Sequence, residues 1–294
     1  MALCDILSSG IFQIFIYLAI LAYFIQSCFA KQAKTQRQNL QIKWNSIGKD
    51  VVILHQFPRA RFCPSPSPYP IKLETFLRMH NIKYINDFEE PMSEKEKSPW
   101  ITINGTNIAD SQIAIEYLTK KFSLDINKNL TSNELVISRA IRFLIEQDLY
   151  WAVAYDRWVK SRAKYVPQFF APVFPSLPRK IEAWLITTIY STKMAKQAYA
   201  QGMGRHSCEE IESMGLKDLD NLSEFLGEKE FMFGEEPTEL DAVLFGFMCM
   251  LLYCTPKNNH YVQKLLREHT NLVRFTEKMK HLYWSDWDQC LYNE

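Results

Sequence analysis

An Asn-Gly pair between two short apolar runs constrains the fold of this chain more than any other sequence feature. In WITINGTNIA, residues 100–109, Asn104 and Gly105 separate two segments in which apolar and polar side chains alternate. Both central residues of a tight two-residue hairpin need a positive φ, and Asn-Gly adopts that conformation readily. The sequence therefore predicts two antiparallel strands joined at this turn.

The segments on either side of the hairpin predict a mixed α/β domain. The β-branched run VVILHQF, residues 51–57, is typical of a buried strand. Apolar residues within 71–82 follow a helical period, and a second extended segment begins at residue 83. The helix after the hairpin opens with Asp110 and Ser111. The predicted order is βαβ followed by ββα.

From residue 133 onward the chain is predicted to be helical almost throughout. A long amphipathic helix begins there, and a proline-containing loop separates it from a second helical stretch near 179–201. Further helices are predicted at 207–226, 239–254, 259–269 and 271–282. The predicted architecture is a small α/β domain with an all-helical partner.

An uncharged apolar segment lies near the amino terminus. Residues 11–29 contain no charged side chain, and about twenty apolar residues can span a bilayer as a helix. Residues 31–49 contain Lys and Arg but no acid, which predicts that the remainder of the chain faces the cytosol. A cleaved signal peptide is the alternative, although such peptides have a basic start and a shorter apolar run. We expect a single-pass membrane protein.

Composition excludes several classes of partner and chemistry. The net charge of +1 gives no reason to expect nucleic acid as a partner. The seven cysteines include no CxxC pair and match no zinc template, so we predict no metal site. Scattered thiols of this kind are typical of proteins in a reducing compartment.

Four local motifs resemble the glutathione-transferase superfamily. They are SPYPIK from Ser67, Ser98-Pro99 before the hairpin, DSQIAIEYL from Asp110, and FGEEPTELD from Phe233. The stretch HQFPRARFCPSPSPYPIKLETFLRMHNIKY is similar to the failed-axon-connections and metaxin branch of that superfamily. The apolar amino-terminal segment is similar to that of the nematode cadmium-responsive proteins in this branch.

The resemblance implies the glutathione-transferase fold, preceded by one transmembrane helix. That fold has an α/β thioredoxin-like N-terminal domain and an all-α C-terminal domain. The predicted parts are a tail at 1–10, a transmembrane helix at 11–30, a basic linker at 31–49, the thioredoxin-like domain at 50–122 and the helical domain at 123–294.

The resemblance also implies a sulfur-binding position at Ser67. A helix N-terminus stabilises a nearby thiolate, and a hydroxyl at this turn contacts the glutathione sulfur in catalytic relatives. Ser67 could donate that hydrogen bond. The alternative is that Ser67 only caps its helix ahead of Pro68.

Two further points would bind the rest of a glutathione molecule. A cis-Pro99 would turn the N–H and C=O of Ser98 towards a peptide-like ligand, or the bend would only complete the fold. Asp110 and Ser111 would receive the γ-glutamyl end, or Asp110 would only cap its helix.

Cysteine chemistry at the same corner is limited. Ser67 and Pro70 occupy the positions of the two cysteines of a CxxC turn, which excludes dithiol redox chemistry. Cys63 could be a reactive thiol, because Arg59 and Arg61 would favour its thiolate, or it could be an incidental loop cysteine.

Two structural interpretations concern the helical half. Thr238 and Asp241 have the spacing of a capping box at the start of an apolar helix, and we predict a structural role for them. Cys249 and Cys254 in that helix are predicted to be packed in the core rather than to bind a soft metal.

Three functions are compatible with these features. The first is a membrane-anchored, glutathione-transferase-like binding protein with weak or no catalysis, for which the resemblance implies a cadmium or xenobiotic stress response. The second is an active glutathione transferase or peroxidase that uses Ser67, and the third is a metaxin-like component of organelle protein import. Glutathione is the implied ligand or cosubstrate. A homodimer or a protein partner stays open, as does the organelle: lysosome, endoplasmic reticulum or mitochondrial outer membrane.

Overall fold

A computed structural model describes residues 35, 37–161, 169 and 177–292 of the chain. The chain divides into two compact units, one of residues 1–51 with 103–106 and one of residues 52–102 with 107–294. The larger unit contains most of the α/β elements and all the helices after the hairpin. The domain boundary expected between residues 122 and 123 stays a prediction.

The α/β part has the element order that the sequence predicts. The elements are β1 (Val52–His55), α1 (Pro68–Met79), β2 (Tyr84–Asp87), β3 (Trp100–Ile103), β4 (Thr106–Ala109) and α2 (Ser111–Lys121). The strands form one sheet in the order β2-β1-β3-β4, with β1 parallel to β2 and antiparallel to β3. Every residue of the central strand β1 is buried, as its apolar sequence predicts.

The predicted hairpin turn is confirmed. Asn104 and Gly105 have φ angles of 49° and 79°, so both lie in the left-handed region that this turn requires. Within the smaller unit, the Asn104 side chain also accepts a hydrogen bond from the Asp50 N–H at 2.8 Å and donates one to the Asp50 carboxylate at 2.8 Å. Asn104 therefore adopts the φ angle that the turn requires, and its side chain holds the turn to Asp50 through two hydrogen bonds.

The helical part also agrees with the sequence, with one difference. Its elements are α3 (Ser132–Phe143), a π-helical segment (Leu144–Leu149), α4 (Tyr150–Tyr155), a second π-helical segment (Asp156–Lys160), α5 (Arg179–Gln201), α6 (Cys208–Leu226), α7 (Glu239–Cys254), α8 (His260–Arg267) and α9 (Thr270–Tyr283). The difference is the pair of π-helical segments inside the first long helix. A π-turn shifts the helical period by one residue locally, and an amphipathic pattern of ordinary length does not reveal it.

Helix α7 lies at the centre of the apolar core. All residues from Leu240 to Leu251 are buried, as the apolar run predicts. At its start, the Asp241 carboxylate accepts hydrogen bonds from the Thr238 N–H at 2.7 Å and the Met232 N–H at 2.8 Å. The Thr238 hydroxyl also donates to it at 2.8 Å. These bonds satisfy polar groups that would otherwise be buried without partners.

Helix α7 packs directly against α1. A Cβ atom placed on Gly246 would lie only 2.5 Å from the carbonyl oxygen of Pro68 and 3.0 Å from the backbone nitrogen of Lys72. Glycine is therefore required for the two backbones to approach this closely. The contact fixes the amino-terminal turn of α1 against the core helix.

The prediction of a single-pass membrane protein needs correction. Among the described residues, no helix is long and apolar enough to cross a bilayer, which contradicts that localisation. The predicted span at 11–30 lies outside the residues that the structure describes.

Candidate functional site

A cavity of about 510 Å³ lies where α1, the segment before β3, α2 and the π-helical part of the long helix meet. All of its lining residues belong to the larger unit. Polar groups come from four positions that the sequence singles out: Ser67, Ser98, Asp110 and Ser111. Aromatic and apolar side chains also line it, among them Phe57, Tyr69, Met92, Tyr150 and Trp151. The structure therefore brings together four predicted site residues that are up to 44 positions apart in the sequence.

Ser67 occupies the N-cap position of α1 but does not cap the helix with its side chain. Its φ and ψ of −113° and 140° are extended, as expected of an N-cap, yet its hydroxyl makes no capping hydrogen bond. The bond from its backbone N–H goes to the Ser65 hydroxyl at 3.4 Å. Because the hydroxyl is not used by the helix, it is available to a ligand in the cavity.

The Ser98–Pro99 peptide bond is cis and lies immediately before β3. Ser98 lines the cavity. Its Oγ is buried, and within the part of the chain that the structure describes it has no hydrogen-bond partner. A buried hydroxyl without a partner is unusual in a folded protein. Because this atom has almost no accessible surface, it is the backbone of Ser98, not its hydroxyl, that a ligand would use.

Asp110 and Ser111 form the opening of α2. Asp110 caps the helix by accepting the Gln112 N–H at 2.9 Å, so one use of its carboxylate is structural. Its φ of 87° is uncommon for a residue other than glycine, and such conformations cluster at ligand sites. Ser111 is only 4% exposed and contributes to the cavity wall.

A buried charge network behind the cavity was missed by sequence reasoning. Lys72 is fully buried in α1, and its Nζ donates to Glu146 Oε1 and to Gln112 Oε1, both at 2.7 Å. Arg142 donates to the second Glu146 oxygen at 3.0 Å. Glu146 also lines the cavity. One sequence signal could have indicated this network: Lys72 lies on the apolar face of α1, one helical turn before Phe76.

A buried arginine fixes the long loop between β1 and α1. Arg157 lies in the second π-helical segment and is 3% exposed. Its guanidinium donates to the Pro66 carbonyl at 3.3 Å and to the Cys254 carbonyl at 3.2 Å. The residue before Ser67 is thereby tied to the end of α7.

The interpretation of Cys63 as a reactive thiol is contradicted by its surroundings. Its side chain is fully buried, and burial raises the pKa of the thiol well above its ordinary value. Its thiol interacts with those of Cys249 and Cys254, which are also fully buried. A reactive cysteine needs access and a lowered pKa, and Cys63 has neither. Across the described ranges, no group of three or more His, Cys, Asp or Glu side chains could hold a metal ion.

A His-Asp-Thr arrangement in the sheet has hydrolase-like contacts but no access. His55 Nδ1 lies 2.8 Å from Asp87 Oδ2, and its Nε2 lies 2.9 Å from Thr102 Oγ1. His55 is fully buried and stacks on Trp100 at a centroid distance of 3.6 Å. These contacts join β1, β2 and β3 and leave no room for a substrate.

Comparison with known proteins agrees with this fold. A family model described as the glutathione S-transferase N-terminal domain matches residues 68–163, and one described as the glutathione S-transferase C-terminal domain matches residues 215–279. Failed axon connections of Drosophila melanogaster is 34% identical over 266 residues, which cover 86% of this chain and 62% of that protein. Isoprene-epoxide–glutathione S-transferase of Rhodococcus is 27% identical over 75% of this chain and 94% of that protein.

Other matches extend the comparison. Metaxins from a plant, a nematode and vertebrates match at 21% to 28% identity. A solved glutathione S-transferase of Methylobacillus flagellatus with glutathione bound has a TM-score of 0.53 and 12% identity, covering 82% of this chain and all of that one, a likeness of fold alone. The chain belongs to the failed-axon-connections and metaxin-like branch of the glutathione-transferase superfamily.

Proposed function

We propose that this protein binds glutathione in the cavity at the start of α1, with the glutathione sulfur at Ser67. The observation that carries the proposal is the Ser67 hydroxyl, which lines the cavity and makes no capping bond. Ser98 and Ser111, which line the same cavity, support it. A hydroxyl that lines a cavity and is not used by its helix suits a polar ligand.

The first turn of α1 makes the Ser67 hydroxyl the main donor to a sulfur. Pro68 and Pro70 have no backbone N–H, so Tyr69 supplies the only amide hydrogen among the first three residues of the helix. A hydrogen bond from the Ser67 hydroxyl would favour the thiolate over the thiol and so lower the thiol pKa. A thiolate is the nucleophilic form of glutathione.

The other lining groups would hold the peptide part of the ligand. The Ser98 N–H and C=O would pair with the cysteinyl backbone. Ser111 and the free amides at the start of α2 would bind the γ-glutamyl carboxylate, which the helix N-terminus also stabilises. Asp110 would pair with the γ-glutamyl ammonium through the carboxylate oxygen that does not cap α2.

Binding with weak or no turnover is the first form of this proposal, and conjugation of glutathione to xenobiotic electrophiles is the second. The second is favoured by the uncommitted Ser67 hydroxyl and by the similarity to a named glutathione S-transferase. A stress-response role would follow from the second form, through the conjugation of xenobiotic electrophiles. Within this branch, the particular similarity to nematode cadmium-responsive proteins stays a prediction.

A role in organelle protein import is a separate candidate. It is favoured by the similarity to several metaxins, one of them named as a mitochondrial outer membrane import complex protein. Such a role would need a protein partner.

Calorimetric titration of the purified full chain tests the binding proposal. Glutathione and S-methylglutathione are titrated into wild type and Ser67→Ala. Because S-methylglutathione forms no thiolate, Ser67→Ala should weaken only the binding of glutathione, by about tenfold at a pH where the bound thiol is ionised. Ser207→Ala is the matched control: it removes an N-cap hydroxyl from α6, which does not line the cavity. No binding of glutathione by wild type, or equal binding of both ligands by wild type and Ser67→Ala, would refute the proposal.

A further inference from the structure

Few residues of helix α5 are buried, and its exposed side carries large apolar side chains. The structure describes all 23 residues of this helix, and only Glu182 and Ala198 among them are buried. Trp184 is 65% exposed, Ile189 60% and Ile181 50%. A surface helix normally turns its apolar side chains towards the core. Large apolar side chains gathered on the open side of one helix instead mark an interaction surface.

The exposed apolar side chains of α5 share one side of the helix. With about 3.6 residues per turn, Ile181, Trp184, Thr188 and Thr192 project in nearly the same direction, and Ile189 borders them. We call these five exposed residues the outer face of α5. The Thr192 hydroxyl donates to the Thr188 carbonyl at 2.9 Å, so that polar group is satisfied within the helix. The outer face is therefore uncharged over about three turns.

The charge around the outer face is strongly positive. Residues 158–208 contain eight Lys or Arg and a single acid, Glu182, although the whole chain has a net charge of only +1. Glu182 is 1% exposed and accepts a hydrogen bond from Arg179 at 2.8 Å. Lys180 and Lys196 on the same helix are exposed. The exposed charges of α5 are therefore all positive, and they complement an anionic partner.

An apolar face between exposed lysines fits the surface of an anionic bilayer. Apolar side chains of such a helix enter the boundary between headgroups and acyl chains, and lysines contact the anionic headgroups. Tryptophan is enriched at that boundary. A nucleic acid would match the charge but would leave Ile181 and Ile189 without an apolar partner. A second copy of the chain would bring two positively charged helices together.

We propose that the outer face of α5 binds the surface of an anionic lipid bilayer. Trp184 and the two isoleucines enter the boundary region, and Lys180 and Lys196 contact lipid phosphates. The helix lies on the bilayer and does not cross it, in keeping with the finding that no described helix could span one. The last turns of the same helix supply Gln197 and Ala200 to the cavity, so bound α5 would hold the cavity close to the bilayer.

Brominated lipids test this contact in the full chain, because they quench only tryptophans that reach the acyl region. All seven tryptophans lie in the described part of the chain, and Trp184 is the exposed one. Vesicles of brominated phosphatidylcholine with phosphatidylglycerol should quench wild type, and Trp184→Phe should lose most of that quenching. Vesicles without phosphatidylglycerol should quench wild type much less.

Variants with fewer lysines test the role of charge. Lys180→Gln with Lys196→Gln should raise the lipid concentration for half-maximal quenching by roughly 25-fold, a factor of about five for each lysine. The matched control, Lys120→Gln with Lys121→Gln, removes the same charge from α2 and should behave like wild type. Attachment through the apolar residues 11–29 would not be detected, because that segment contains no tryptophan.

Several outcomes would overturn the proposal. They are an absence of quenching in wild type, quenching that does not depend on phosphatidylglycerol, and quenching that persists in Trp184→Phe. Tighter binding of a fluorescent oligonucleotide than of anionic vesicles would assign the face to nucleic acid instead. A wild-type dimer in sedimentation that Trp184→Gln converts to a monomer would assign it to a second copy.

Two further measurements separate this inference from packing and from the glutathione site. Trp184→Gln should unfold at the same urea concentration as wild type, and a lower midpoint would mean that the chain itself covers Trp184. The outer-face residues do not line the cavity, so Trp184→Phe should bind glutathione like wild type. Failure of lipid binding would therefore leave the proposed function standing, and absence of glutathione binding would leave the lipid contact standing.

Discussion

Replacement of Gly246 by alanine tests the contact that positions the candidate site. The new Cβ would lie 2.5 Å from the Pro68 carbonyl oxygen, 3.0 Å from the Lys72 nitrogen and 3.4 Å from the Pro68 carbonyl carbon. All three neighbours are backbone atoms, so no side chain can rotate away. Helices α1 and α7 would have to separate, and the start of α1 would move together with Ser67.

The expected magnitude follows from two opposing effects. Overpacking a close-packed contact costs up to about 3 kcal/mol, and the backbone neighbours place Gly246 at this upper end. Alanine is favoured over glycine in a helix interior by about 1 kcal/mol, which opposes the loss. We therefore expect Gly246→Ala to lower the free energy of unfolding by about 2 kcal/mol.

Urea unfolding followed by circular dichroism measures this loss, and titration with glutathione measures the effect on the site. Gly215→Ala is the matched control, because its Cβ would meet side-chain atoms, Ala152 Cβ at 2.8 Å and Tyr261 Cε1 at 2.9 Å, away from α1. Both variants should be destabilised, but only Gly246→Ala should bind glutathione more weakly. A Gly246→Ala protein as stable as wild type, with unchanged affinity, would refute the reasoning.

Three further predictions concern buried charges. Burial opposes ionisation of Glu74, but hydrogen bonds and charge from Arg59 outweigh it and hold the Glu74 pKa below its ordinary value. The stabilisation by Glu74 is therefore present above its ordinary pKa of 4.5 and is lost as the pH falls below that value. Glu74→Gln should reduce the dependence of the free energy of unfolding on pH in this acid range. An unchanged dependence in Glu74→Gln would contradict the prediction. Arg157→Lys should lower the free energy of unfolding by about 2 kcal/mol, because lysine cannot reach both carbonyls that the guanidinium holds. A loss below roughly 0.5 kcal/mol, about the error of urea unfolding, would count against this prediction. Lys72→Met should lower the free energy of unfolding by about 3 kcal/mol, because Glu146 stays buried with one partner fewer. The double variant Lys72→Met with Glu146→Leu should recover most of that loss. Losses that simply add in the double variant would contradict the prediction.

Much of the fold could be read from local patterns. The alternating runs around Asn104-Gly105 and the β-branched run of β1 predict the strands, since a strand that buries a face must keep its period. The apolar sequence of α7 predicts its burial. The π-helical segments could not be read in this way, because one extra residue in a turn is decided by packing rather than by composition.

The candidate site was predictable in part. Ser67, Ser98, Asp110 and Ser111 stand at helix starts or beside a proline, where the sequence itself marks a special backbone position. Lys72, Glu146, Tyr150 and Arg157 carry no such mark. Their roles depend on neighbours from distant parts of the chain, and periodicity does not identify those neighbours.

By itself, the sequence determined most of the strands and helices, the approximate position of their ends, and that no dithiol can form at the start of α1. These properties depend on residues a few positions apart, through turn conformation, capping and the period of apolar side chains. Only the tertiary structure decided that the Ser67 side chain does not cap its helix, that Cys63 is buried in the core, and that Tyr150 from the helical part lines the same cavity. Those properties depend on which groups compete for one hydrogen bond or one volume of space, and that competition exists only after the chain has folded.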